Sequence, residues 1–218
     1  MKMILIINEK RMVDGLEKDL AYSKPVQRRR AVWNTKDILI TGMIGVVFAF
    51  VLLAVTFAYF PLAAILGPAY SRITDGIFMI PGLMALYLIR KPGAALVSMT
   101  IGGLVMLPFS PYGLIGIVWA AVAGLECEVP FLAVLYRKYS TLFLMISGSV
   151  ATILSTLLEY PLYGHAALSI GVQITMLVVS AVGGAVGGIL SKLLAESMLK
   201  LGLLADYRRS SLDHTYRK

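Results

Sequence analysis

Two glutamates, Glu126 and Glu128, sit inside an otherwise apolar run at about 113–136. A carboxylate in such a run is costly and usually faces a bundle interior. There it can bond a neighbouring helix, grip a polar or cationic ligand, or relay a proton. Two residues on a helix turn through about 200°, so the pair converges only if the backbone is distorted. Gly124 and Pro130 are the residues placed to distort it. At about 1.5 Å per residue, Glu128 lies roughly 14 Å from Arg137, near mid-membrane. A second group, Asp75, Phe78, Glu159, Tyr160, Tyr163 and His165, falls near the opposite ends of the apolar runs. An acidic, aromatic, nearly cation-free rim suits a flat cationic or hydrogen-bonding small molecule, through stacking and cation–π contact. Interfacial tyrosines are equally ordinary belt residues. Trp119, within a run, reads as a pocket wall. Gly42, Gly45 and Ala49 form a third group, a small-residue stripe that marks close helix contact within the bundle or with a second protein.

Soluble-enzyme motifs do not emerge. The sequence carries no glycine-rich phosphate loop, no paired histidines at helical spacing and no nucleophile elbow. Gly183, Gly184, Gly187 and Gly188 lie inside an apolar run, where small residues four apart let another backbone approach. Cys127 is the single cysteine, so no disulfide framework forms. Two carboxylates without His or Cys partners make a poor transition-metal site, and no cofactor is expected.

These groups need a membrane to hold them. The chain is 58% hydrophobic and 15% charged, with mean hydropathy +0.81, a composition typical of integral membrane proteins. Apolar runs occupy about 38–60, 73–89, 93–109, 113–136, 141–158 and 168–195. Nine of the 20 Lys and Arg residues precede the first run, the 90–91 and 137–138 gaps hold two each, and six follow from Lys192 onward. The three alternate gaps hold only Arg72. Basic short loops stay cytoplasmic, so the pattern predicts an all-α membrane protein of six transmembrane helices with cytoplasmic N- and C-termini, in the cell membrane. The net charge of +8 is then explained by orientation and anionic lipid headgroups rather than by nucleic acid.

The chain divides into a basic cytoplasmic arm at 1–36, a six-helix domain at 37–200 and a basic cytoplasmic tail at 201–218. Met3–Ile7 is too short for a signal-peptide core. Trp33 stands at headgroup level, and Asn34 with Asp37 predicts the start of the first helix.

The run Ile89-Arg90-Lys91-Pro92-Gly93-Ala94-Ala95-Leu96-Val97-Ser98 resembles the signature of the YkoE family. Gly67-Pro68, Asp75-Gly76-Ile77-Phe78, Ser110-Pro111-Tyr112-Gly113 and Gly124-Leu125-Glu126-Cys127-Glu128 resemble further family segments in order. The likeness covers about residues 36–205. It implies the substrate-binding (S) component of an energy-coupling-factor (ECF) vitamin transporter, associated with thiamine or hydroxymethylpyrimidine. It further implies a scaffold membrane subunit and two ATP-binding subunits as partners, with Gly42, Gly45 and Ala49 docking on the scaffold. The chain departs from the family pattern where Met99 and Met106 stand at glutamate positions. Ala123 replaces a glutamine, Arg72 an acid and Phe78 a tryptophan, while Glu126 replaces a small residue. A carboxylate transferred from the third helix to the fourth would keep a cationic ligand in play.

The expected substrate-binding set is therefore Asp75, Phe78, Met99, Met106, Trp119, Glu126, Glu128, Glu159 and Tyr163. The expected function is vitamin capture for an importer whose motor lies in other subunits, not an enzyme. The alternatives are a proton-coupled secondary transporter, or a non-transport membrane protein using Glu126 and Glu128.

Overall fold

The computed structural model describes residues 33–200. Most of the expected arm and all of the expected tail lie outside the described residues. Six α-helices fall within them: α1 (Thr35–Tyr70), α2 (Asp75–Ile89), α3 (Ala94–Met106), α4 (Leu114–Ala133), α5 (Thr141–Tyr163) and α6 (Ile170–Lys200). Short 3-10 turns at Ser71–Thr74 and His165–Ala167 lead into α2 and α6, and no strand occurs among the described residues. Thr35–Ile89, taken as one stretch, Leu114–Ala133, Thr141–Tyr163 and Ile170–Lys200 are long and apolar enough to cross a bilayer; Ala94–Met106 is shorter. Large apolar side chains such as Met43, Val47, Phe50, Leu114 and Ile170 face outward, as lipid contact requires.

The predicted start of α1 is present. Asn34 caps the helix, and its backbone N–H donates to Asp37 Oδ2 at 2.8 Å. Lys91 Nζ reaches the same oxygen at 2.5 Å, and Trp33 Nε1 donates to the Pro92 carbonyl at 3.2 Å. These contacts clamp the entry of α1 to the α2–α3 connection. Gly93 sits under the Trp33 ring with φ 87°, a conformation that costs other residues but not glycine.

The helix boundaries depart from the apolar runs mainly at two ends. α1 continues past Phe60 through Pro61 to Tyr70, and its helical path breaks at Gly67 (φ 75°, ψ 174°) before Pro68. α5 continues through Glu159 and Pro161 to Tyr163 and stops on left-handed Gly164. The charge and the prolines mark the ends of the apolar runs without stopping either helix.

α2 is the central helix: Leu83, Met84, Ala85 and Leu86 are fully buried, as expected for a helix apolar on all sides. Its neighbours approach through glycine. Side chains on Gly183 and Gly187 of α6 would run into the backbone of Ile73 and Gly76. Gly184 and Gly188 meet Gly148 and Leu144 of α5 in the same way. The four-glycine run thus serves two helix interfaces, in keeping with the packing expected of small residues in membranes.

The stripe on α1 is also filled inside the bundle. A side chain on Gly45 would strike the Ser98 carbonyl of α3, and Gly45 and Ala49 are buried. Gly42 lies at the edge, with Ile101 of α3 nearest. The expectation that these three residues dock a second protein thus meets a face whose Gly45 and Ala49 are already buried within the bundle.

Candidate functional site

A cavity of about 430 Å³ opens at the end of the bundle where both 3-10 turns and the 107–113 connection meet. α1–α5 each contribute residues at helical spacing, which places them on one face. Leu52, Thr56, Tyr59 and Phe60 come from α1; Asp75, Phe78 and Met79 from α2; Met99, Gly103 and Met106 from α3. α4 adds Gly116, Trp119, Ala120 and Ala123, and α5 adds Ser155, Glu159 and Tyr163. Arg72, Ser110, Tyr112, Gly113 and His165 complete the wall from the connections.

Seven of the nine expected substrate residues therefore share this cavity: Asp75, Phe78, Met99, Met106, Trp119, Glu159 and Tyr163. Rings dominate its upper part. Trp119 stacks on Tyr163 at 6.2 Å between centroids with a 23° tilt, and Tyr163 meets His165 at 6.0 Å. Phe60 and Tyr112 pair at 6.1 Å across the α1 side. Met79, Met99 and Met106 supply flexible thioethers, which adapt to irregular shapes.

The mouth is not free of cations. Arg72, only 5% exposed, pairs with Glu159 and lies 3.6 Å from Asp75. Its Nη2 is 3.4 Å from His165 Nδ1. Burial first, and then the Arg72 charge, lowers the His165 pKa below its ordinary value, which suits a neutral ring accepting from the guanidinium. The expected acidic rim is thus a compensated cluster, because a buried arginine needs carboxylate partners and carboxylates so close need a cation. The sequence signal was available in Arg72 as the lone basic residue of three gaps. Tyr59, Phe60, Met79, Tyr112 and Ser155 were also missed, since their apolar surroundings look the same whether they face lipid or cavity.

The glutamate pair separates as helical geometry requires. Glu128 accepts from Ala95 N–H at 2.9 Å and from the Tyr136 hydroxyl. Ala95 lies in the first turn of α3, whose cap residue Gly93 offers no side chain. Glu128 therefore supplies the acceptor and the negative charge that a helix N-terminus favours. Expected in the substrate site, Glu128 is instead seen capping α3 and is not among the residues that line the cavity. Glu126 also stands outside the wall itself, buried one turn beyond Ala123, with Ser155 facing it outside hydrogen-bond geometry.

The family model described as "ABC-type cobalt transport system, permease component" matches residues 36–154. The protein described as "Putative HMP/thiamine permease protein YkoE" of Bacillus subtilis (strain 168) is 38% identical over 174 residues, covering 79% of this chain and 87% of that protein. The chain belongs to the YkoE family. A solved structure described as "Crystal structure of an S-component of ECF transporter" superposes with TM-score 0.75 at 36% identity, over 84% of this chain and 98% of that one. The fold of that S component is thereby shared, and both relatives are described as components of transport systems.

Proposed function

We propose that this chain is the substrate-capture component of an ECF-type importer. It takes a small, flat organic vitamin or precursor, of the hydroxymethylpyrimidine and thiamine kind, from outside the cell membrane. The observation that carries this reading is a cavity wall shared by α1–α5 and lined by aromatic rings and methionine thioethers. A pocket of this size and mostly apolar lining is suited to a molecule of one or two rings. The charge pattern supports six crossings with both termini cytoplasmic, which turns the cavity mouth outward. Transport then needs a scaffold membrane subunit and two ATPases to supply energy.

The test is uptake of labelled hydroxymethylpyrimidine and thiamine by cells expressing the chain with and without a scaffold and two ATPases. Uptake that needs all partners supports the proposal. Uptake by the chain alone, collapsing when the proton gradient is discharged, favours a self-contained transporter instead. Tyr163→Ala and Trp119→Ala, which strip the stacked rings, should lower uptake while the protein remains in the membrane.

A further inference from the structure

Six acidic side chains fall among the described residues, and five have partners. Asp37 meets Asn34 and Lys91, Asp75 and Glu159 meet Arg72, Glu128 meets Ala95 and Tyr136, and Glu196 meets Tyr87 and Lys192. Glu126 differs: it is 4% exposed, and although the Ser155 hydroxyl lies close by, neither carboxyl oxygen completes a hydrogen bond. An unpaired buried carboxyl is among the most costly groups a membrane bundle can hold.

Its position suggests where the missing donor comes from. Gly116, Trp119, Ala120 and Ala123 form the face of α4 that lines the cavity, and Glu126 continues that face by one turn. Helical side chains lean toward their own N-terminus, so the Glu126 carboxyl leans back toward Ala123 and the cavity. Ser155, which lines the cavity from α5, lies opposite it. Met99 and Met79 close the floor nearby: a side chain on Gly82 would touch both Cys127, beside Glu126 in sequence, and Met99, at 3.1 and 3.3 Å. Thioether side chains can swing aside for a ring at small cost. At the mouth, one guanidinium already compensates two carboxyl groups, so Glu126 is surplus acceptor capacity beneath a column of aromatic faces. The group that satisfies both features is planar, π-rich and carries N–H donors on one edge.

We propose that Glu126 is the specificity-determining residue of the cavity, accepting a hydrogen bond from the exocyclic amino group or protonated ring nitrogen of an amino-substituted nitrogen heteroaromatic ligand. The inference rests on the reading of this chain as a capture subunit and names the feature of the ligand that its site selects. A site built to accept from a ligand N–H rejects the analogue lacking it, because the buried acceptor is left unpaired.

The test is calorimetric binding to the full chain in lipid nanodiscs. The probes are hydroxymethylpyrimidine, whose ring carries an exocyclic amino group, and the same ring with hydrogen in place of that group. The wild type is expected to favour the amino-bearing ring by about 10- to 100-fold. In Glu126→Met, of similar length and apolar, that preference disappears while the analogue binds as before. Glu126→Gln, which keeps the shape and drops the charge, gives the same direction with a smaller shift and serves if Glu126→Met does not fold. Equal binding of both probes to the wild type overturns the role of Glu126 and leaves the capture reading standing, as does a preference that survives in both variants. No binding of either probe to the wild type overturns the ligand class, and this proposal with it.

Discussion

Replacing Glu128 with alanine should destabilise the bundle without removing its ligand site. The carboxylate accepts from Ala95 N–H and the Tyr136 hydroxyl and is 7% exposed. Deleting it orphans two donors, each costing about 1–3 kcal/mol when left buried and unpaired. Loss of a negative charge at the α3 N-terminus adds about 0.3–1 kcal/mol. The sum is about 2–7 kcal/mol, set mainly by how far water reaches the vacated space. Glu128→Gln keeps an acceptor and should lose only about 1 kcal/mol. Thermal unfolding in mild detergent, followed by the emission of Trp33 and Trp119, reads the order: wild type highest, glutamine slightly lower, alanine far lower. Ligand affinity measured well below the midpoint should stay near wild type in both variants. An alanine variant that unfolds with the wild type yet loses its ligand would refute the assignment and return Glu128 to the cavity.

Gly45→Ala should lower unfolding temperature and ligand binding together, because its new methyl meets the Ser98 carbonyl of α3; binding that survives while only partner docking fails would contradict this packing. Arg72→Gln leaves Asp75 and Glu159 without their cation and should cost about 3–5 kcal/mol. Arg72→Lys should rescue only part of it, since a single ammonium does not reproduce the guanidinium fork; the same thermal assay checks both. The lowered His165 pKa makes the folded state resist protonation. The unfolded chain therefore takes up the proton first as pH falls below its ordinary value of about 6.5, and stability present above that pH declines toward the lowered folded pKa. Unfolding midpoints between about pH 7 and 5 should fall more steeply for wild type than for His165→Gln; parallel curves would contradict the placement beside Arg72.

Helix cores were legible in the sequence because lipid imposes a continuous apolar run on any crossing segment. Cap chemistry was equally legible: Asn34 and Asp37 act locally, three residues apart. The extensions of α1 to Tyr70 and α5 to Tyr163 were not, since proline and charge at the membrane edge look like terminators until tertiary partners satisfy them. Trp119 was expected as a pocket wall from its depth in a run and Tyr163 as a rim residue from its place at a run's end, and both line the cavity. Arg72 was seen as an isolated charge, but its partner Glu159 is 87 positions away and no local spacing announces that pairing. The two glutamates were read as able to converge only across a distorted backbone, and both were expected in the substrate site. Which one faces the cavity side depends on whether α3 presents a backbone N–H or a side chain to α4, and that follows only from how the two helices are placed together. The stripe at Gly42, Gly45 and Ala49 signalled a close contact without identifying its partner, since an internal helix and a second protein demand the same small residues.

The shortness of α3 has a consequence for the surrounding lipid. Its 13 residues rise about 20 Å, whereas the hydrocarbon layer measures about 30 Å. Upright, α3 therefore cannot span that layer, whereas the 31-residue α6 can. A bilayer meets such asymmetry by dimpling on one side or by letting the protein lean. A short α3 would thus make the tilt of the bundle sensitive to membrane thickness.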